Sequence, residues 1–445
     1  LFIAADNSGI MQFTQEQIVK LAPDDASVKA GKALATVSKW VVKSVHERAL
    51  WGDCQGSGKT PYKTIVDLAN LAFKCSCPSR KFPCKHGLGL LFLYSSNSSS
   101  FSTEINIAPH VEEWLEKRAT KAESKSSADK APDEQAQLKR AELREKKVNA
   151  GVEELRLWLR DVVRTGIMNV PQNPYQFNQN ITARMVDSQA GGLANQLRKI
   201  NRINFYSEGW QKHLIKQLSK TYLLTESYLN LESLTDELKQ EVRAQIGWTT
   251  PKEELLSLEG IKDEWLVLAI TLEEEANLKT EKAWLYGSSS KRCALILSFY
   301  AGNQLPATRL IEGGTVNAEL VYYPSATPLR ALLKDHLEAR SSFTDPEVAN
   351  DIMSLHENVT VWLSENPFAE QLPFILNQVK VIFIQDQWFL ADASHKSVPL
   401  KNTEDECWKM LAISKAREFQ CFGTYENELF NIHSVWTAQN FYSIL

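Results

Sequence analysis

Phe73-Lys74-Cys75-Ser76-Cys77-Pro78-Ser79-Arg80-Lys81-Phe82-Pro83-Cys84-Lys85-His86 holds a Cys-x-Cys, six residues, and then a Cys-x-His. Zinc takes four ligands in a tetrahedron, thiolate and imidazole are its favoured donors, and a closed Cys₃His set is a known structural type. Residues i and i+2 of a strand project to one side, so Cys75 and Cys77 can both address one ion. Pro78 and Pro83 frame a turn that returns Cys84 and His86 to it at the start of a following helix, whose electropositive N-terminus favours thiolate. Three thiolates on one divalent ion leave a charge of about −1, which Lys74, Arg80, Lys81 and Lys85 can offset. At this composition such a set arises by chance at on the order of one in ten million starting points. A catalytic zinc keeps an open position, whereas all four donors here lie together, so the expectation is one structural Zn2+ held by Cys75, Cys77, Cys84 and His86.

Working outward, Ala49–Cys54, Tyr62–Leu68 and Leu71–Cys77 are short, rich in β-branched or aromatic residues and separated by turn residues, which predicts a three-stranded meander. His86–Tyr94 is then an apolar helix ended by a serine run. Before the meander, Thr14 with Gln17 fits a capping box, and Ser27 to about Ser38 predicts a second helix. After it, Val111–Lys117 opens a charged helical stretch, Thr120–Glu134 has linker composition, and Gln135–Gly166 regains helical periodicity. Its stripe is Leu138, Leu143, Val148, Val152, Leu155, Leu159 and Val162–Val163. Helices continue through Ala183–Ile203, Trp210–Leu231 and Thr235–Ile246. The last third changes to strands at Glu264–Leu272, Ala283–Tyr286, Arg292–Tyr300, Ala318–Tyr323, Val379–Ile384 and Gln387–Ala391, with helices near Leu329–Arg340, Pro346–Glu365 and Glu404–Ile413. The fold class is therefore α+β and multidomain. The expected partition is a zinc-finger domain over 11–112, a charged helical linker over 113–150, a helical region over 151–260 and a C-terminal α+β domain, mainly antiparallel, over 261–445.

A chain of 445 residues, 43% hydrophobic and 23% charged, has enough apolar sequence for more than one core, which excludes wholesale disorder. With 50 Lys and Arg against 54 Asp and Glu the net charge is −4, so no chain-wide basic field marks a nucleic-acid binder. The longest apolar runs, Leu88–Tyr94 and Trp265–Leu272, are less than half the roughly 20 residues of a spanning helix. No export signal is legible in Leu1–Ile10, which looks like an extension ahead of Met11, and clustered cysteines without regular pairing suit a reducing compartment. A cytoplasmic location without membrane contact is expected.

Gly56-Ser57-Gly58-Lys59-Thr60 imitates a phosphate-binding loop. The full pattern needs a glycine where Asp53 stands, and Pro61 leads into a strand rather than a helix. A hairpin turn is the better reading. Cys54 is expected to be a buried core thiol, and the other seven histidines stand at no metal spacing. The tryptophans are expected to anchor cores.

The finger resembles the SWIM zinc finger, and its flanks extend the likeness to the bacterial SWIM zinc finger family proteins. The flanks that carry it are Ala49–Gly58, Pro78–Pro83, Trp158–Asp161, Ala183–Asp187 and Tyr323–Arg330. The resemblance implies Cys75, Cys77, Cys84 and His86 as the zinc ligands. It also implies binding to DNA or protein, with a AAA+ ATPase or a von Willebrand factor A-type protein as the partner suggested by similar proteins. No acid/base or nucleophile constellation stands out, so a non-enzymatic protein-interaction module or scaffold is expected. The alternative is nucleic-acid binding through the basic rim of Lys74, Arg80, Lys81 and Lys85.

Overall fold

The computed structural model describes residues 13–56, 60–68, 71–79, 81–124, 134–275, 278–301, 310–340, 343, 345, 346, 348, 350–437 and 440–444. At the N-terminus, α1 (Gln15–Lys20) starts at Thr14, whose hydroxyl accepts from the Gln17 N–H while the Gln17 side chain accepts from the Thr14 N–H. Next comes α2 (Asp25–Leu34), capped by Asp24 and shorter than the expected run to Ser38 because residues 37–39 tighten into a 3₁₀ turn. Four strands follow: β1 (Trp40–His46), β2 (Ala49–Cys54), β3 (Tyr62–Asp67) and β4 (Ala72–Cys75). They lead to α3 (Lys85–Ser96) and the short β5 (Ser102–Thr103), and the sheet order is β4-β3-β2-β1-β5.

The three-stranded meander is thus β2–β4, extended by β1 and β5. The first of these is hard to see in sequence because Val41 and Val42 both face solvent, which breaks the alternation. His86–Tyr94 is buried on every side, packed between the sheet and α1 and α2, so it carries no apolar stripe.

The middle of the chain is helical: α4 (Pro109–Ser124), α5 (Glu134–Thr165), α6 (Pro174–Asp187), α7 (Gly191–Ile200), α8 (Trp210–Leu229), α9 (Asp236–Ile246) and α10 (Lys252–Ser257). The 32-residue α5 runs without a break through position 150, where composition places the edge of the spacer. Val148, Val152, Leu155, Leu159 and Val162 of α5 are buried against α6–α9. Leu143 and Val163 are exposed instead, since five-residue and one-residue steps turn a helical side chain off the stripe.

Five strands then close a barrel: β6 (Ile261–Glu275), β7 (Leu278–Gly287), β8 (Cys293–Ala301), β9 (Thr315–Tyr322) and β10 (Arg330–Arg340), joined in the order β10-β8-β7-β6-β9. The expected helix at Leu329–Arg340 is β10. Its Ala, Leu, Lys and Glu favour helix locally, but pairing to β9 and to β8 completes the barrel and overrides them. The β9–β10 pairing carries two register shifts, between Leu333 and Asp335 and between His336 and Glu338.

The rest is α11 (Ile352–Glu365), β11 (Leu372–Ile384), β12 (Gln387–Asp392), β13 (Ser397–Pro399), α12 (Glu404–Ser414), β14 (Phe419–Glu426), β15 (Leu429–Thr437) and β16 (Asn440–Ser443). These strands form one antiparallel sheet in the order β13-β12-β11-β14-β15-β16. The barrel packs on this sheet through Leu266, Trp284 and Tyr286 against Ile375, Phe422 and Trp436. Phe368, in the loop after α11, inserts into the helical core, and Glu370 beside it pairs with Lys199 and Lys220.

Candidate metal centre

Two pieces of backbone bring the four donors together. The β3–β4 hairpin sets Thr64 opposite Cys75, and the Lys63 carbonyl accepts from the Ser76 N–H at 3.0 Å, which holds the chain as it leaves the strand toward Cys77. The returning loop places Cys84 at the N-cap of α3 and His86 in its first turn. Gly87 lets that turn lie flat on the sheet, since a Cβ there would come within 2.7 Å of the Phe73 ring.

One donor atom from each of Cys75, Cys77, Cys84 and His86 lies within 4.8 Å of the others. His86 Nδ1 is 3.7 Å from Cys75 Sγ and 4.0 Å from Cys84 Sγ. A tetrahedral zinc, with bonds of about 2.3 Å to sulfur and about 2.0 Å to nitrogen, spaces its donors by roughly 3.5–3.8 Å. The donor set therefore fits the ion after its widest separation closes by about 1 Å. Cys84 and His86 are buried and Cys75 and Cys77 half-buried, so an ion held by them would have little solvent access.

The surroundings favour anionic sulfur at Cys84, while burial pushes the Cys77 thiol up. Cys84 is driven toward thiolate: the Cys75 S–H donates to it, and this with His86 and the Gly87 N–H outweighs burial and lowers its pKa to about 3. Cys75 moves the other way, raised by that same hydrogen bond and by burial. A backbone N–H two or three residues further on serves each sulfur: Cys77 for Cys75, Ser79 for Cys77 and Gly87 for Cys84. The Thr64 hydroxyl adds a contact to Cys75 Sγ at 3.4 Å, and the Tyr62 ring lies 4.8 Å from that of His86. Neither Thr64 nor Tyr62 has a motif of its own; only the hairpin register reveals them.

Residues 67–95 match the family model of the SWIM zinc finger, and residues 143–246 match that of the SWIM-associated four-helix bundle domain. The chain carries a SWIM zinc finger. The second match covers most of α5 through α9, and the two together agree with the resemblance carried by the finger and its flanks. No curated protein and no solved structure matches the chain. The SWIM finger's Cys75, Cys77, Cys84 and His86 are the site for one zinc ion, and they are the one cluster of metal-ligating type among the described residues.

The basic rim is partly engaged. Lys81 Nζ sits 2.7 Å from Asp24 Oδ2, tying the SWIM finger's loop to the N-cap of α2. The Lys81 hydrogen bond, with those from Ser27, holds the Asp24 carboxyl down at about 2. Lys74 and Lys85 are exposed, while Arg80 and the Lys59 of the glycine-rich turn lie outside the described residues. On either side of residues 57–59, β2 and β3 pair antiparallel, and the next element is β3 rather than a helix. Cys54 is fully buried in the core and its thiol is pushed up by that burial. His433 is buried too, with Nε2 2.9 Å from the Thr424 hydroxyl. Among the described residues no helix is long and apolar enough to cross a membrane.

Proposed function

We propose that this is a non-enzymatic protein-interaction module, in which a structural zinc fixes the shape of one binding surface and the bundle and C-terminal region carry others. The observation behind this reading is the closed donor set: four protein ligands from twelve consecutive residues leave no position for a substrate or an activated water. Zinc then acts by holding β4 and the start of α3 together, and function passes to the surface they present. A AAA+ ATPase or a von Willebrand factor A-type protein is the partner proposed from the family resemblance, in a cytoplasmic bacterial complex.

Nucleic-acid binding is the weaker alternative on physical grounds. Of the rim cations among the described residues Lys74, Lys81 and Lys85 are all exposed, but Lys81 already pairs with Asp24, which leaves Lys74 and Lys85. Affinity purification of the tagged protein from its native cell, with and without nuclease, separates the two readings. The interaction reading predicts a protein partner that survives nuclease and changes little between 50 and 200 mM salt. Loss of all partners on nuclease treatment, or a steep decline with salt over that range, contradicts it.

A further inference from the structure

The β11–β12 hairpin turns through Gln385 and Asp386, both left-handed at φ +50° and +60°, with Ile384 paired to Gln387. On one face of β11 the side chains of Val379 and Val381 are buried, yet Phe383, next in the alternation, is 53% exposed. Its ring lies 4.7 Å from that of its cross-strand partner Trp388. Trp408 of α12 stands edge-on to Trp388 at 5.3 Å and 82°, and is 56% exposed. Buried Trp388 is thus the floor of an open corner whose two walls are Phe383 and Trp408. Large aromatic rings left bare side by side mark a contact surface.

The charges around the corner select its occupant. Glu404, one turn before Trp408, accepts the indole N–H at 3.3 Å, and Asp405 follows it in the first turn of α12. Asp386 sits in the hairpin turn two residues before Trp388. Glu406 is already spent on the helix cap, where it accepts from the Thr403 N–H. The neighbouring cations are directed elsewhere: Lys409 donates to the Ser443 and Ile444 carbonyls, and Lys380, between buried Val379 and Val381, projects from the opposite face. Electron-rich ring faces beside carboxylates, with Lys409 and Lys380 turned elsewhere, complement a cationic side chain.

We propose that the corner formed by Phe383, Trp388 and Trp408 binds an arginine or lysine side chain from a basic segment of a protein partner. This rests on the protein-interaction reading above and names the chemistry of the partner. The probe is a fluorescein-labelled Gly-Ser peptide carrying three spaced arginines, titrated with the full-length zinc-loaded protein at 150 mM salt. A twin peptide with citrulline at the same positions is the control. The arginine peptide is expected to bind and the citrulline peptide to lose at least about tenfold. Trp408→Ala and Phe383→Ala, both at exposed positions that leave the fold intact, should each weaken binding about five- to tenfold, and Glu404→Gln about two- to threefold. Equal binding of the two peptides overturns the cationic occupant in favour of a plain apolar contact. Unchanged binding by Trp408→Ala overturns the corner itself, leaving general attraction to an acidic surface. Neither result touches the partner survey under Proposed function, whose nuclease and salt outcomes do not depend on this corner.

Discussion

Two helices in this molecule start against a sheet in different ways. α12 begins with Thr403 and Glu406 exchanging hydrogen bonds with the first-turn backbone, a complete capping box. α3 begins with Cys84 at the same N-cap position, without a capping box, and its sulfur is turned to Cys75 and His86. In the C-terminal region the helix start is a local matter, and the fold rests on buried side chains such as Phe422 and Trp436. In the finger the helix start is also the tether to β4, so one ion does the work of a cap and of a long-range contact. A capping interaction is worth about 1 kcal/mol, whereas zinc contributes on the order of 10 kcal/mol in small zinc folds.

The largest expected effect follows from that contrast. Cys84→Ser, or chelation of the metal, should unfold Ala49–Ser95 while the barrel and C-terminal sheet stay protected. Hydrogen exchange resolved by segment measures this, and unchanged protection of 49–95 would erase the distinction between the two regions. Trp436→Ala sharpens it from the other side. This side chain is fully buried between barrel and sheet, so the change should cost about 3–5 kcal/mol in denaturant unfolding of the C-terminal region, with zinc content unaltered.

How much of this was legible in the sequence follows the same divide. The metal ligands, the meander and the apolar helix could be read because zinc chemistry imposes residue types and spacing within twelve consecutive positions. The capping boxes at Thr14 and Thr403 are equally local, although only the first is noticed from sequence. β10 was not legible: Arg330–Arg340 favours helix on its own and becomes a strand because β9, just before it, and β8, earlier in the chain, offer edges to pair with. β1 was hidden by exposed Val41 and Val42, and the role of Thr64 depends on a register no local pattern states. The aromatic corner escaped for the same reason, since Phe383, Trp388 and Trp408 span 26 positions and meet only through the fold.

Smaller effects test the seam between the bundle and the C-terminal region. Burial pushes the Glu370 carboxyl up, but Lys220 and Lys199 outweigh it and bring it from 4.5 down to about 2. A depressed carboxyl contributes stability above its ordinary pKa and loses it as pH falls, so this contribution should disappear between about pH 5 and pH 2. Glu370→Gln should cost about 1–2 kcal/mol at pH 7 after allowance for solvent screening, and should flatten that part of the pH–stability profile. The smallest change is Thr403→Ala. Losing the cap of α12 should lower C-terminal stability by about 1 kcal/mol in thermal or denaturant unfolding, a fraction of what Cys84→Ser does to the finger.

The metal content of the purified full-length protein tests the account most directly. Elemental analysis should find one zinc per chain, and none after Cys84→Ser. A wild-type protein without stoichiometric metal, or a Cys84→Ser protein that keeps one zinc per chain, would contradict it.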